Sequence, residues 1–184
     1  MINKYKKYLP SFYYDSIFDI PYDNFAKNKI KALFFDLDNT LLRIKEKKLN
    51  LDTQNLLKEL SFKFKIFIIS NASLSKLKNI FFDLKINYIY LNIFHKKPSL
   101  WGLKKALQLL HINYNEAIMI GDQLRTDVAS ANKMNIVSIL VKPLDRKNES
   151  FITKLSRILI EKKVINNIKK KNVKEYEIKF KKFI

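Results

Sequence analysis

Cysteine is absent from this chain, and 184 residues hold only two glycines and four prolines. Without thiols there is no disulfide, no cysteine nucleophile and no thiolate zinc site. That composition fits a reducing compartment. No apolar run reaches the ~18 residues that span a bilayer. Met1 to Pro10 is rich in Lys and Tyr and lacks the apolar core of a signal peptide. The expectation is a cytoplasmic protein. Acidic residues are scarce too, 17 against 36 Lys and Arg, for a net charge of +19. Such an excess suits an anionic partner, nucleic acid or acidic lipid. An AT-rich genome would give the same abundance of Lys, Ile and Asn with little Arg or Gly. The excess is uneven, however. From Lys142 to Ile184 there are 14 basic and five acidic residues, including Lys169-Lys170-Lys171.

What is present is 47% hydrophobic residue, enough for a globular domain with a full core. Residues 1–29 read as an aromatic N-terminal arm, with a short element around Phe12 to Ile20 packed on the core. Residues 30–145 alternate buried strands and helices. Strands are expected at Ile30 to Phe35, Ile66 to Ile69, Tyr88 to Leu91, Ala117 to Ile120 and Ile136 to Val141, each a continuous apolar run. Between them, Leu56, Leu57 and Leu60 follow a cap at Asp52. Leu74, Leu77, Ile80, Phe81 and Leu84 form a second stripe. A third helix opens at Pro98, and a fourth carries Val128, Ala131 and Met134 and ends at a left-handed Asn135. Residues 146–184 read as an amphipathic helix with the apolar stripe Phe151, Ile152, Leu155, Ile158 and Leu159 covering the core. A basic tail follows, in which Tyr176, Ile178 and Phe180 alternate as in a short strand or extended arm. Strands alternating with helices imply an α/β fold, a three-layer Rossmann-like arrangement around a parallel sheet. Its ligands bind at the carboxyl ends of the strands.

Four motifs fall at such ends, in fixed order: Asp36-Leu37-Asp38-Asn39-Thr40, Ser70-Asn71, Lys97-Pro98, and Gly121-Asp122 with Asp127 five residues on. Each alone is weak, since an Asp-x-Asp pair is usually a solvated turn and Ser-Asn usually a cap. Together they supply the parts for phosphoryl transfer. Asp36 is placed to attack phosphorus, and Asp38 to protonate the leaving oxygen and activate water. Ser70 and Asn71 would bind phosphoryl oxygens, and Lys97 would neutralise Asp36 and the phosphate. Asp122 is a hard oxygen ligand suited to Mg²⁺. Thr40 would hydrogen-bond locally to fix its turn, and Asp127 would be a ligand or support one. Arg43 and Arg125 are candidate substrate contacts at an open edge. His95 and His111 read as a loop residue and a helix end, and Trp101 as core or rim.

These motifs resemble those of the haloacid dehalogenase (HAD) superfamily phosphatases. More narrowly, the chain resembles the subclass IIIA family that includes the phosphatidylglycerophosphate phosphatases, over about residues 8–165. The narrower likeness includes Leu9-Pro10, Ser16-Ile17-Phe18-Asp19, Gln123-Leu124 and Phe151-Ile152-Thr153. The resemblance implies a HAD core, an aspartyl-phosphate on Asp36 with Asp38 as acid/base, and Mg²⁺ held by Asp36, the Asp38 carbonyl and Asp122. Glycine is scarce where that family has it, with Lys85 and Asn135 standing at helix ends.

Spacing narrows the substrate. About 30 residues separate Asp38 from Ser70 and about 25 separate Asn71 from Lys97, too few for a cap domain. A capless, open site favours a large phosphorylated substrate. A phospholipid head group at an anionic membrane is the leading expectation. A nucleotide, protein or nucleic acid is the alternative, and a basic RNA- or ribosome-associated module with a secondary site is the third.

Overall fold

The computed structural model describes residues 3–183. Six parallel strands form one open sheet: β1 (Phe12–Tyr14), β2 (Ala32–Phe35), β3 (Lys65–Ser70), β4 (Asn87–Tyr90), β5 (Ala117–Gly121) and β6 (Val137–Val141), in the order β1-β6-β5-β2-β3-β4. The short aromatic element near the start is therefore an edge strand, with Phe12 opposite Ile139 and Tyr14 opposite Val141.

Successive strand residues point to opposite faces, and both faces are covered. Leu33, Phe35, Ile66 and Ile68 face a layer built by α3 (Leu51–Ser61) and α4 (Leu74–Phe81), where Leu57, Leu60, Leu77 and Phe81 are buried. Ala32, Phe34, Phe67 and Ile69 face α5 (Trp101–Leu110) and α6 (Ala129–Lys133), meeting Leu103, Ala106 and Ala131. Burial on both sides is why these strands read as unbroken apolar runs rather than alternating ones. Two short helices, α1 (Asn3–Lys6) and α2 (Tyr22–Lys27), flank β1.

Helix ends meet the scarcity of glycine with left-handed Lys29, Lys85, His111 and Asn135. The endings expected at His111 and Asn135 are as found. Two helix starts differ. Asn50, not Asp52, caps α3, its Oδ1 accepting from the Thr53 N–H at 2.8 Å. Asp52 sits in the first turn, where its charge suits the helix dipole. Pro98 lies three residues before α5 rather than inside its first turn.

The C-terminal segment departs furthest from the sequence reading. Helix α7 (Phe151–Ser156) runs through a π-helical turn (Arg157–Glu161) into α8 (Lys162–Lys171). Residues 173–179, expected as a strand or arm, form α9 (Val173–Lys179). Asn172 caps α9 through the Glu175 N–H at 3.2 Å, and Glu175 pairs with Lys179 one turn on. The effective period is helical: Tyr176, Phe180 and Phe183 turn inward while Ile178 stays exposed. Phe180 and Phe183 are fully buried with Leu124, Val128, Leu140, Val164 and Ile165. The basic tail is thus a packed part of the fold. Moreover, the apolar stripe of α7 and the π-turn, expected to cover the core, faces solvent.

Candidate active site

The sheet order places the site. From β2 the chain proceeds to β3 and β4 on one side, then crosses to β5 and β6 on the other. The switch point lies between β2 and β5, where open α/β sheets leave a crevice for ligand. Asp36 follows β2 and Asp122 follows β5. The Asp36 N–H donates to the Ile120 carbonyl at 2.9 Å, so the two loops leave the sheet side by side.

Lys97 links the acids. Its Nζ lies 2.5 Å from Asp36 Oδ1 and 2.7 Å from Asp127 Oδ1, with all three side chains buried. The loop carrying Lys97 is tied to the second motif, because its N–H donates to Asn71 Oδ1 at 2.8 Å. Asp127 is aimed by the π-helical turn Leu124–Val128 and accepts from the Gln123 N–H at 3.1 Å. Gly121 makes this possible. A Cβ there would lie 2.4 Å from Asp127 Cγ, so the residue before Asp122 must lack a side chain.

Burial pushes the Asp36 carboxyl up to about 7. Lys97 opposes the rise, and Asp127 and Asp38 add to it. Burial also drives Asp122 well above the usual carboxylate range, with Arg157 opposing. Burial pulls Lys97 down, but Asp127 and Asp36 outweigh it and hold the ammonium charged.

Asp36, Asp122 and Asp127 each bring a carboxylate oxygen within 4.8 Å of the others. Asp122 Oδ1 is buried and has no hydrogen-bond partner among the described residues. Leaving such an atom bare is costly. Three converging carboxylates, one with an orphaned oxygen, fit a hard divalent cation.

Asp38 stands slightly farther out. Its Oδ1 lies 2.5 Å from Lys76 Nζ, brought by α4. The turn beyond Asp38 is held by Asn39 rather than Thr40, whose buried hydroxyl makes no hydrogen bond among the described residues. Asn39, left-handed at φ 67°, donates its N–H to the Leu42 carbonyl at 2.7 Å. Its side chain accepts from the Asp145 N–H at 2.9 Å and donates to Glu149 Oε1 at 3.0 Å.

Glu149 leads to a cluster absent from the sequence reading. Arg157 is buried among three carboxylates. Its Nε donates to both Glu149 oxygens at 2.8 and 2.9 Å. Its Nη1 donates to Glu161 Oε2 at 2.9 Å and to the Asp122 carbonyl at 3.1 Å, and its Nη2 pairs with Asp122 Oδ2. Glu161 Oε1 accepts from the Leu124 N–H at 2.8 Å. One guanidinium therefore joins the C-terminal helix to the first and fourth motifs. It occupies one oxygen of Asp122 and leaves the other facing the acid cluster. The signal was a stripe at helical spacing: Ser150, Thr153, Arg157 and Glu161.

A pocket of about 460 Å³ opens above these groups. Asp36, Asp38, Ser70, Asn71, Lys97 and Arg125 line it, so most of the expected residues meet there. Ser150, Ile152, Thr153 and Ser156 form another wall. Ser70 Oγ accepts from the Ala72 N–H at 3.1 Å. Arg43 is exposed and does not line this pocket, and His95 stacks on Trp101 at the rim of α5, with 4.3 Å between ring centroids.

The model of the haloacid dehalogenase-like hydrolases matches residues 15–141. The chain belongs to that family. Among curated proteins it is 27% identical over 173 residues to the probable phosphatase YqeG of Bacillus subtilis, covering 94% of this chain and 98% of the relative. Two solved structures resemble the fold. An uncharacterised protein from Listeria monocytogenes serotype 4b has a TM-score of 0.51 at 20% identity, over 65% of this chain and 85% of that one. A HAD family enzyme of Bacteroides thetaiotaomicron, in complex with magnesium and inorganic phosphate, has a TM-score of 0.51 at 14% identity, over 65% and 98%. As in the sequence reading, the core is capless: residues 36–50 and 71–73, which follow β2 and β3, hold no inserted domain.

Proposed function

We propose that the chain is a Mg²⁺-dependent phosphatase that hydrolyses a phosphate monoester through an aspartyl-phosphate on Asp36. The carrying observation is the buried meeting of Asp36, Lys97, Asp122 and Asp127, with Asp122 Oδ1 unpartnered. The likeness to a probable phosphatase over nearly the full chain supports it.

Asp36 attacks phosphorus in line, and the P–O bond to the leaving group breaks as the carboxylate–phosphorus bond forms. Asp38 protonates the leaving oxygen, then accepts a proton from the water that opens the acyl phosphate. Lys97 balances charge, and Ser70 with nearby backbone N–H groups holds phosphoryl oxygens. Asp36, Asp122 and the Asp38 carbonyl would hold the cation, with Asp127 beside them. When bound, Mg²⁺ neutralises the phosphoryl oxygens and favours the ionised form of Asp36.

The substrate we propose is phosphatidylglycerophosphate or a similar anionic phospholipid. A pocket without a cap admits a head group whose chains stay outside, and one of its walls is a helix with an exposed apolar face. The test is a panel of phosphatidylglycerophosphate in mixed micelles, mononucleotides, phosphopeptides and 5′-phosphorylated RNA, run with wild type and Asp36→Asn. The lipid should be turned over fastest, and Asp36→Asn should lose at least ~10³-fold on every substrate. Preference for a nucleotide, peptide or RNA would overturn the lipid assignment, and an active Asn variant would overturn the covalent step.

A further inference from the structure

Helix α7 and its π-turn are built inside out. A surface helix of a soluble domain normally buries its apolar stripe and exposes its polar one. Here Thr153, Ser156, Arg157 and Glu161 face the site, while Phe151, Ile152, Leu155, Ile158 and Leu159 are 78, 74, 42, 62 and 60% exposed. The five apolar residues fall within about one third of the helix circumference, so they form one continuous face.

The exposed charge along this segment has one sign. The exposed charged residues of positions 151–171 are Lys154, Lys162, Lys163, Lys169, Lys170 and Lys171. Glu161, the acid of this stretch, is buried against Arg157. An apolar strip on a segment whose exposed charges are all lysines is the pattern of a helix that lies in an anionic bilayer interface. A protein partner would need a matching acidic rim around an apolar groove. The strip also adjoins the catalytic pocket, since Ile152 belongs to both. Further exposed apolar side chains, Ile93 and Phe94, lie in the loop that leads to Lys97.

We propose that this face docks on anionic phospholipid bilayers and sets the pocket at the lipid head-group level. The proposal rests on the lipid-phosphatase reading but is separable from it. The packed tail, with Phe180 and Phe183 buried, is not the docking element; its outward lysines on α8 add attraction within about a Debye length.

The test uses the full chain and the triple variant Phe151→Ser/Leu155→Ser/Ile158→Ser, which alters exposed side chains outside the catalytic cluster. Co-sedimentation is measured with vesicles of phosphatidylcholine alone and with 30 mol% phosphatidylglycerol, at ~0.1 M salt. Wild type should bind the anionic vesicles at least tenfold better than the neutral ones, and the variant should lose at least tenfold of that binding. Turnover of p-nitrophenyl phosphate should be unchanged, and the apparent KM for phosphatidylglycerophosphate in vesicles should rise with kcat preserved. Wild type that fails to bind anionic vesicles overturns the proposal, as does a variant that binds as well as wild type. A wild-type dimer that the variant converts to monomer, with vesicle binding unaltered, also overturns it and assigns the face to a second copy. Failure of the lipid-substrate reading looks different: vesicle binding is retained and sensitive to the variant, yet phosphatidylglycerophosphate is not hydrolysed.

Discussion

Replacing Arg157 with Met keeps much of the side-chain volume but removes the guanidinium that faces Asp122, Glu149 and Glu161. Removing one partner of a buried ion network costs about 3–5 kcal/mol, because the remaining charges lie uncompensated in a poor dielectric. In a chain of this size each kcal/mol lowers Tm by about 2–4 °C. The expected loss near pH 8 is therefore roughly 6–20 °C by circular dichroism. Its pH dependence follows from the carboxyls. Burial raises Asp122 and Glu161 above their ordinary values, and Arg157 opposes both shifts. Without Arg157 their folded-state pKa values rise further. The folded form then holds protons that the unfolded chain releases, so stability falls as pH rises from the ordinary carboxylate range through the folded values. The Tm deficit should be larger at pH 8 than at pH 5.5. Arg157→Lys should fall between wild type and Met, since an ammonium restores charge but cannot fork across Asp122 and Glu149. The same variants should need at least tenfold more Mg²⁺ for half-maximal activity, because Asp122 is no longer held with Oδ1 toward the acid cluster. A Met variant with wild-type Tm at pH 8, or an equal deficit at both pH values, would refute the reasoning.

Mg²⁺ should raise Tm more at pH 8 than at pH 5.5: burial holds Asp36 near 7 and Asp122 high, so protons compete with the cation below neutrality. Equal shifts at the two pH values in scanning fluorimetry, no shift for wild type, or a wild-type shift in Asp122→Ala would contradict the metal assignment. Gly121→Ala should displace Asp127 from Lys97 and cost about 1–3 kcal/mol with a large drop in kcat, since its Cβ would lie 2.5 Å from Asp127 Oδ2. A fully active Ala variant would mean that Asp127 is not needed where it stands. Phe180→Ala should destabilise by about 3–5 kcal/mol, as for any large aromatic taken from a core. A loose arm would show no change in urea unfolding.

The order of the motifs and the continuous apolar runs were enough to specify a parallel sheet with chemistry at its carboxyl edge. Patterns of this kind are local, and a strand buried on both faces leaves an unmistakable run of Val, Ile, Leu and Phe. Asp36, Ser70, Lys97 and Asp122 could be picked out because each follows such a run or the motif order. What the linear pattern left open was direction. The stripe Phe151, Ile152, Leu155, Ile158, Leu159 says that one face is apolar, but not which face turns inward. The answer depends on Arg157, whose charge is satisfied only by Asp122, Glu149 and Glu161 brought together from two loops and its own helix. In the tail, Tyr176, Ile178 and Phe180 fit a period of two over a few residues. Tyr176, Phe180 and Phe183 fit a helical period, and the groove over Leu124, Val128 and Leu140 selects the second. The sequence by itself determined five of the six strands and the residues that meet at their carboxyl edge, because those follow from short-range periodicity and motif order. Only the tertiary structure decided which cation orients Asp122, where the tail packs and which apolar face remains outside, because burial of a charge depends on partners distant in the chain.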